Sequence, residues 1–150
     1  MSFFKGLIVS CLVLIGASAH AAEFGSKEEA KALVAHAAAY YAEVGQEKAF
    51  AAFNDQKGKF VDRDLYIVVY SLAGMRLAHG QNEKMIGKSV IESVDVNGKA
   101  YGSEVVETAK AGEGWVEYNF SDPVTKKILP KSMYVKRFGD LIFGSGVYLR

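Results

Sequence analysis

The chain has 150 residues, with 18 Lys and Arg against 17 Asp and Glu and a single cysteine. A net charge this close to zero excludes a nucleic-acid groove or an anionic membrane surface as the partner, because both demand a basic excess. One cysteine, at position 11, excludes an internal disulfide, and its place in the apolar leader read below leaves no thiolate for a nucleophile, a zinc site or a haem attachment.

Met1-Ser2-Phe3-Phe4-Lys5 followed by the uncharged, almost wholly apolar run Gly6 to Gly16 has the order of a secretory signal. Small residues follow at the spacing a signal peptidase needs, either Ala17-Ser18-Ala19 or Ala19-His20-Ala21. Cleavage is expected after Ala21, so that residues 1–21 are a signal peptide and residues 22–150 one domain, periplasmic or secreted, with no membrane span after processing. The apolar run falls short of the roughly 20 residues a spanning helix needs. Apolar sequence also continues past Cys11, which argues against a lipoprotein. With Lys5 removed, the cationic and anionic side chains of the mature chain balance.

Ser26-Lys27-Glu28-Glu29 has the form of a capping box and starts a helix whose apolar stripe is Ala30, Leu33, Val34, Ala37, Ala38 and Tyr41. Gly45 ends or bends it, and Gln46 to Phe53 resumes the helical pattern before the polar turn Asn54 to Lys59. Leu65 to Tyr70 is β-branched and aromatic on both faces and reads as a central strand. Ser71 to Gly74 turns the chain, and Met75 to His79 returns as the second arm of a hairpin. Asp95-Val96-Asn97-Gly98 makes another turn, Lys99 to Lys110 is helical, and three strands follow at Gly114–Phe120, Ile128–Phe138 and Leu141–Tyr148. The order is α+β: an antiparallel sheet of about five strands with helices packed on one side.

Leu77-Ala78-His79, Ile86-Gly87-Lys88, Gly114-Trp115-Val116-Glu117-Tyr118, Lys131 to Arg137 and Gly144-Ser145-Gly146-Val147-Tyr148 together resemble the single Cache domain, type 2, over essentially the whole mature chain. The resemblance implies a long N-terminal helix packed on a PAS-like antiparallel sheet whose concave face holds a small ligand, often a short carboxylate. Such domains are usually the extracytoplasmic sensors of chemoreceptors and histidine kinases. Departures are Gly80, where Pro commonly follows the His, and Ser71, where an acidic residue is common. The chain ends at Arg150 without a second transmembrane helix or a signalling module, the pattern expected of a freestanding periplasmic Cache protein.

Several side chains are candidates for the ligand site. His79, at a strand end, is a hydrogen-bond donor to a carboxylate, charged in part near neutral pH, or else a capping group. Trp115 and Tyr118 have opposite parity on one strand, as do Lys131 and Tyr134 on another, so neither pair shares a face of a regular strand. The resemblance places Trp115, Tyr118, Lys131 and Tyr134 near the pocket; the alternative for the aromatics is packing, and for Lys131 a solvated charge. Arg63 suits a carboxylate but is flanked by Asp62 and Asp64, which makes a surface ion pair equally plausible. His36, close to the helix stripe, reads as a packing residue.

The glycines of Gly144-Ser145-Gly146 open no phosphate loop, since no helix with Lys-Ser/Thr follows, and instead admit close neighbours to the last strand. Metal-ligand spacing is absent, no cofactor is implied, and no nucleophile with a positioned base has recognisable context, so an enzyme is not expected. The expected partners are a small-molecule ligand and a membrane receptor or histidine kinase that relays the signal. The alternative is a non-catalytic assembly subunit, a homodimer through the Ala-rich helix, that no longer binds ligand.

Overall fold

A computed structural model describes residues 22–150; the expected signal peptide lies outside the described residues. Ser26 accepts the Glu29 amide at 3.2 Å while its own amide donates to the Glu29 carboxylate at 2.7 Å, so the capping box forms at both ends. It starts α1 (Lys27–Val44). Gly45, at φ +83°, takes a conformation L side chains rarely adopt, ends α1 and lets α2 (Gln46–Asn54) set off in a new direction.

The expected strand over 65–70 is interrupted at Ile67. Leu65–Tyr66 (β2) pairs with Val61–Asp62 (β1) as a small separate ribbon, and Val68–Ser71 (β3) joins the main sheet. Between them the Ile67 carbonyl accepts the Gly80 amide at 2.9 Å. The remaining strands are β4 (Arg76–His79), β5 (Glu113–Ser121), β6 (Ile128–Phe138) and β7 (Leu141–Tyr148), in the spatial order β4-β3-β7-β6-β5 with every pair antiparallel. A 3-10 turn at Glu83–Met85, which periodicity does not signal, and the helix α3 (Tyr101–Lys110) lie in the long connection from β4 to β5.

The helices do not pack on one side, which corrects the expectation from element order. Val34 and Ala37 of α1 and Ala49 and Phe53 of α2 join Ile67, Val69 and Phe143 in one core on the outer face. Tyr101, Val105, Val106 and Ala109 of α3 join Val68, Tyr70, Val116, Met133 and Val135 in a second core on the inner face. Both faces are therefore apolar, which is why β3 reads as a continuous hydrophobic run. Of the expected stripe, Ala30, Val34 and Ala37 are fully buried against the sheet, while Leu33, Ala38 and Tyr41 are half-buried.

Candidate functional site

Strand register assembles the inner face. Tyr118 of β5, Lys131 of β6 and Tyr148 of β7 are direct cross-strand partners, forming one row across three strands. The opposite face carries Trp115, Tyr134 and Ser145 in the equivalent row. At the far edge, β4 contains an irregularity opposite Val69 and Tyr70: Val68 pairs with His79, Val69 with Ala78, and Tyr70 with Arg76. The extra residue, Leu77, lets Arg76 and His79, three apart in sequence, both lie on the inner side.

Lys131 is 2% exposed. Its stem crosses β7 at Gly146, where a Cβ would come within 2.5 Å of Lys131 Cε; glycine here is what makes room for the lysine. The ammonium donates to the Tyr66 hydroxyl at 2.8 Å and lies against the rings of Tyr66, Tyr148 and Phe120 at 4.4, 5.1 and 5.2 Å. No carboxylate lies within 4.0 Å of it among the described residues. Burial accordingly pulls its pKa down to about 7, against the weaker opposing pull of Asp64 and Asp122. The Tyr148 hydroxyl, 3.5 Å from that of Tyr66, donates to the Ser121 carbonyl at 2.7 Å.

The His79 ring packs tilted against that of Tyr66, with centroids 5.2 Å apart. Its Nδ1 accepts the amides of Gln81 and Asn82 at 3.2 and 3.0 Å, so the proton of the neutral ring resides on Nε2. Burial first, then the positive charges of Lys131 and Arg76, push its pKa down to about 3. The expected partial charge near neutral pH is therefore corrected: His79 is a neutral donor that also caps the turn after β4. NMR should find its imidazole unprotonated throughout the range from about pH 8 to pH 5. Because the folded pKa lies below the unfolded value of 6.5, its contribution to stability is complete above that value and is lost as the pH falls toward about 3. Replacing His79 should flatten this part of the acid-unfolding curve.

A cavity of about 180 Å³ opens beside these groups, walled by Tyr66, His79, Asn82, Phe120, Pro123 and Lys126. Lys131 sits behind the Tyr66 and Phe120 rings. Deeper along the inner face, Tyr118 stacks on Tyr101 at 4.0 Å and points its hydroxyl to Met133 Sδ at 3.6 Å. The buried Arg76 donates to the Ser89 carbonyl at 3.0 Å and the Ser93 hydroxyl at 3.1 Å.

Of the residues singled out from sequence, the structure brings His79, Lys131 and Tyr118 to this inner face. Trp115 and Tyr134 it does not: they contact each other at 5.4 Å on the outer face, under Lys27 and Lys31 of α1, and the Tyr134 hydroxyl bonds Glu113. Strand parity is the reason. Arg63 is also elsewhere; it pairs with Glu29 at 2.8 Å and Asp62 at 2.7 Å and holds the carbonyls of Ala22 and Phe24, which ties the start of the domain to the β1-β2 turn. Tyr66, Tyr148 and Arg76 were not singled out. The first two share parity with Tyr70 and with Gly144 and Gly146, a signal available in the sequence; Arg76 depends on the irregularity in β4, which is not.

A five-stranded antiparallel sheet covered by helices on both faces, with a small aromatic-walled cavity among β2, the end of β4 and the end of β5, has the architecture of a PAS-like module. The family model described as Single Cache domain 2 matches residues 4–150, and the chain belongs to that family. It is 30% identical over 89 residues to the sensor histidine kinase MctS of Rhizobium johnstonii, an alignment that takes in 58% of this chain and 19% of the kinase. The chain thus spans about a fifth of the length of that relative.

Solved structures agree. A methyl-accepting chemotaxis protein from Vibrio parahaemolyticus superposes with a TM-score of 0.71 at 20% identity, covering 81% of this chain and 87% of that one, a likeness of fold. The periplasmic sensor domain of a chemotaxis protein gives 0.64 at 27% identity, covering 82% and 90%. A Cache chemosensory domain solved for carboxylic acid recognition gives 0.65 at 26%, covering 82% and 88%. Cache domains are extracytoplasmic sensory modules that bind small molecules and sit in receptors or histidine kinases. No helix among the described residues is long and apolar enough to cross a membrane.

Proposed function

We propose that this chain is a periplasmic binding module for a short carboxylate, held in the inner cavity with its charge toward Lys131, and that it signals through a separate membrane receptor or histidine kinase. The observation that carries the reading is the buried Lys131 ammonium, which has a phenol hydroxyl and aromatic faces around it but no carboxylate of its own. A buried unpaired cation is costly, and an anion arriving from solvent relieves that cost. His79 Nε2 and the Tyr66 hydroxyl supply neutral donors on the cavity wall, and Phe120 and Pro123 form its apolar part, with Tyr118 further along the same face. Trp115, Tyr134 and Arg63 take no part in this arrangement.

A cavity of about 180 Å³ lies below the roughly 300–1,000 Å³ usual for drug-sized ligands, which favours an acid of a few carbons. The test is the thermal midpoint of residues 22–150 against short carboxylates, amino acids, purines and neutral polar metabolites. A ligand at about 100 times its Kd adds about 2.7 kcal/mol, a shift on the order of 10 °C for a domain of this size. A shift confined to small carboxylates is the expected result. No shift from any class, with protein shown to be free of copurified ligand, moves the reading to the non-binding assembly subunit.

A further inference from the structure

Lys131 faces an unusual set of neighbours. From β2 comes the Tyr66 hydroxyl at 2.8 Å, from β7 the Tyr148 ring, from β5 the Phe120 ring, and from β4 the neutral His79. Arg76 of β4 adds a second positive charge on the same face. The two nearest acids, Asp64 in the β1-β2 turn and Asp122 after β5, are both engaged by the guanidinium of Arg150, at 3.1 and 2.6 Å. Every group that touches the amine is therefore neutral, and the charges beyond it are either positive or already paired. An amine held this way keeps its proton poorly until an anion joins it.

We propose that the cavity takes up its carboxylate together with a proton, which settles on the Lys131 amine, so that once the pH is high enough for the empty site to lose that proton, occupancy follows anion and proton together rather than the anion alone. This rests on the reading of the site given above. The balance is simple: neutral amine, carboxylate anion and one proton become an ammonium-carboxylate pair at the cavity wall formed by Tyr66 and Phe120, against which the amine lies. The consequence for a module of periplasmic location is that acidification and ligand act as one signal, each strengthening the response to the other.

The amine in the empty site titrates at about 7, and the ion pair with the ligand holds it protonated well above that. Apparent affinity should be greatest near pH 6, where the amine is protonated and the ligand ionised, then fall toward tenfold per pH unit above about pH 7.5. Calorimetry with acetate, propionate and pyruvate in buffers of different ionisation enthalpy should give roughly half a proton taken up at pH 7 and close to one at pH 8.5. Lys131→Arg, whose guanidinium stays charged, should bind without proton uptake.

A readout free of ligand uses 13C-labelled lysine, with one NMR resonance expected to titrate near neutrality and to vanish in Lys131→Met. Binding with no proton uptake, or a Lys131 resonance that titrates alongside the surface lysines, overturns the coupling and leaves the site standing. Failure of all three probes to bind anywhere between pH 5 and 9 overturns the site reading and the coupling with it.

Discussion

Lys131→Met should abolish carboxylate binding and at the same time make the ligand-free domain more stable. Met has nearly the length and flexibility of the lysine stem and fills the channel over Gly146 without a charge. Loss of the buried charge partner should weaken binding by about 2–5 kcal/mol, at least thirty-fold. Replacing a buried ionic group by an apolar one of similar volume is commonly neutral or stabilising by about 1–4 kcal/mol, and here there is no internal ion pair to lose.

The pH dependence has a definite sign. The native lysine titrates at about 7 and the unfolded one near 10.5, so between those values the unfolded state binds more protons and wild-type stability rises with pH. The advantage of the Met variant over wild type is thus largest below about pH 7 and shrinks as the pH approaches 10.5. Urea unfolding at pH 6 and pH 9 measures this directly. A variant destabilised equally at both values would show that Lys131 is a packing residue and no more.

Arg150→Ala should be the most damaging single change outside the sheet core. Its guanidinium bonds Asp122 at 2.6 and 3.2 Å and Asp64 at 3.1 Å, and lies 3.5 Å over the Phe24 ring. Both aspartates are fully buried, and their other partners are the Gly25 amide for Asp64 and the Val124 and Thr125 amides and Thr125 hydroxyl for Asp122. Removing the arginine strands two carboxylates, a change that typically costs about 3–5 kcal/mol, or a fall in Tm on the order of 10 °C.

The Arg150 hydrogen bonds hold the Asp122 carboxyl well below the usual carboxylate range. Stability from this cluster is therefore present above the ordinary aspartate pKa of 3.8 and lost as the pH falls below it. The deficit of Arg150→Ala should accordingly narrow in acid. Asp122 follows Ser121, whose carbonyl accepts the Tyr148 hydroxyl, so the same variant should loosen the cavity wall and weaken ligand binding. Calorimetry on the folded fraction checks that second effect.

Much of the architecture is legible in one dimension because local rules govern it. The capping box at Ser26, the break at Gly45, the helix after Asn97-Gly98 and the three long strands each arise from short-range chemistry, and they appear in the structure close to where periodicity puts them. Parity separates Tyr118 from Trp115 on β5 and Lys131 from Tyr134 on β6 before any coordinates are known, whereas the register that puts Tyr118 beside Lys131 belongs to the pair of strands. What parity leaves open is which of the two faces carries the cavity, since both are apolar and both are covered by helices.

Tertiary structure decided the rest. The strand break at Ile67 follows from a hydrogen bond to Gly80, thirteen residues on in the chain and beyond any local pattern. Arg76 and His79 share a face because of an irregular register against β3, which is a property of the pair of strands. The reading of Arg63 as a surface ion pair was available from its flanking acids, whereas its grip on Ala22 and Phe24 was not.

Sequence by itself determined the order of the main helices and strands, the family and the parity of the candidate residues within each strand, because these depend on spacing and backbone preference. Only the tertiary structure decided that Lys131 is a buried amine without a carboxylate partner rather than a solvated charge, because burial and charge pairing are set by what β2, β5 and β7 bring around it from distant parts of the chain.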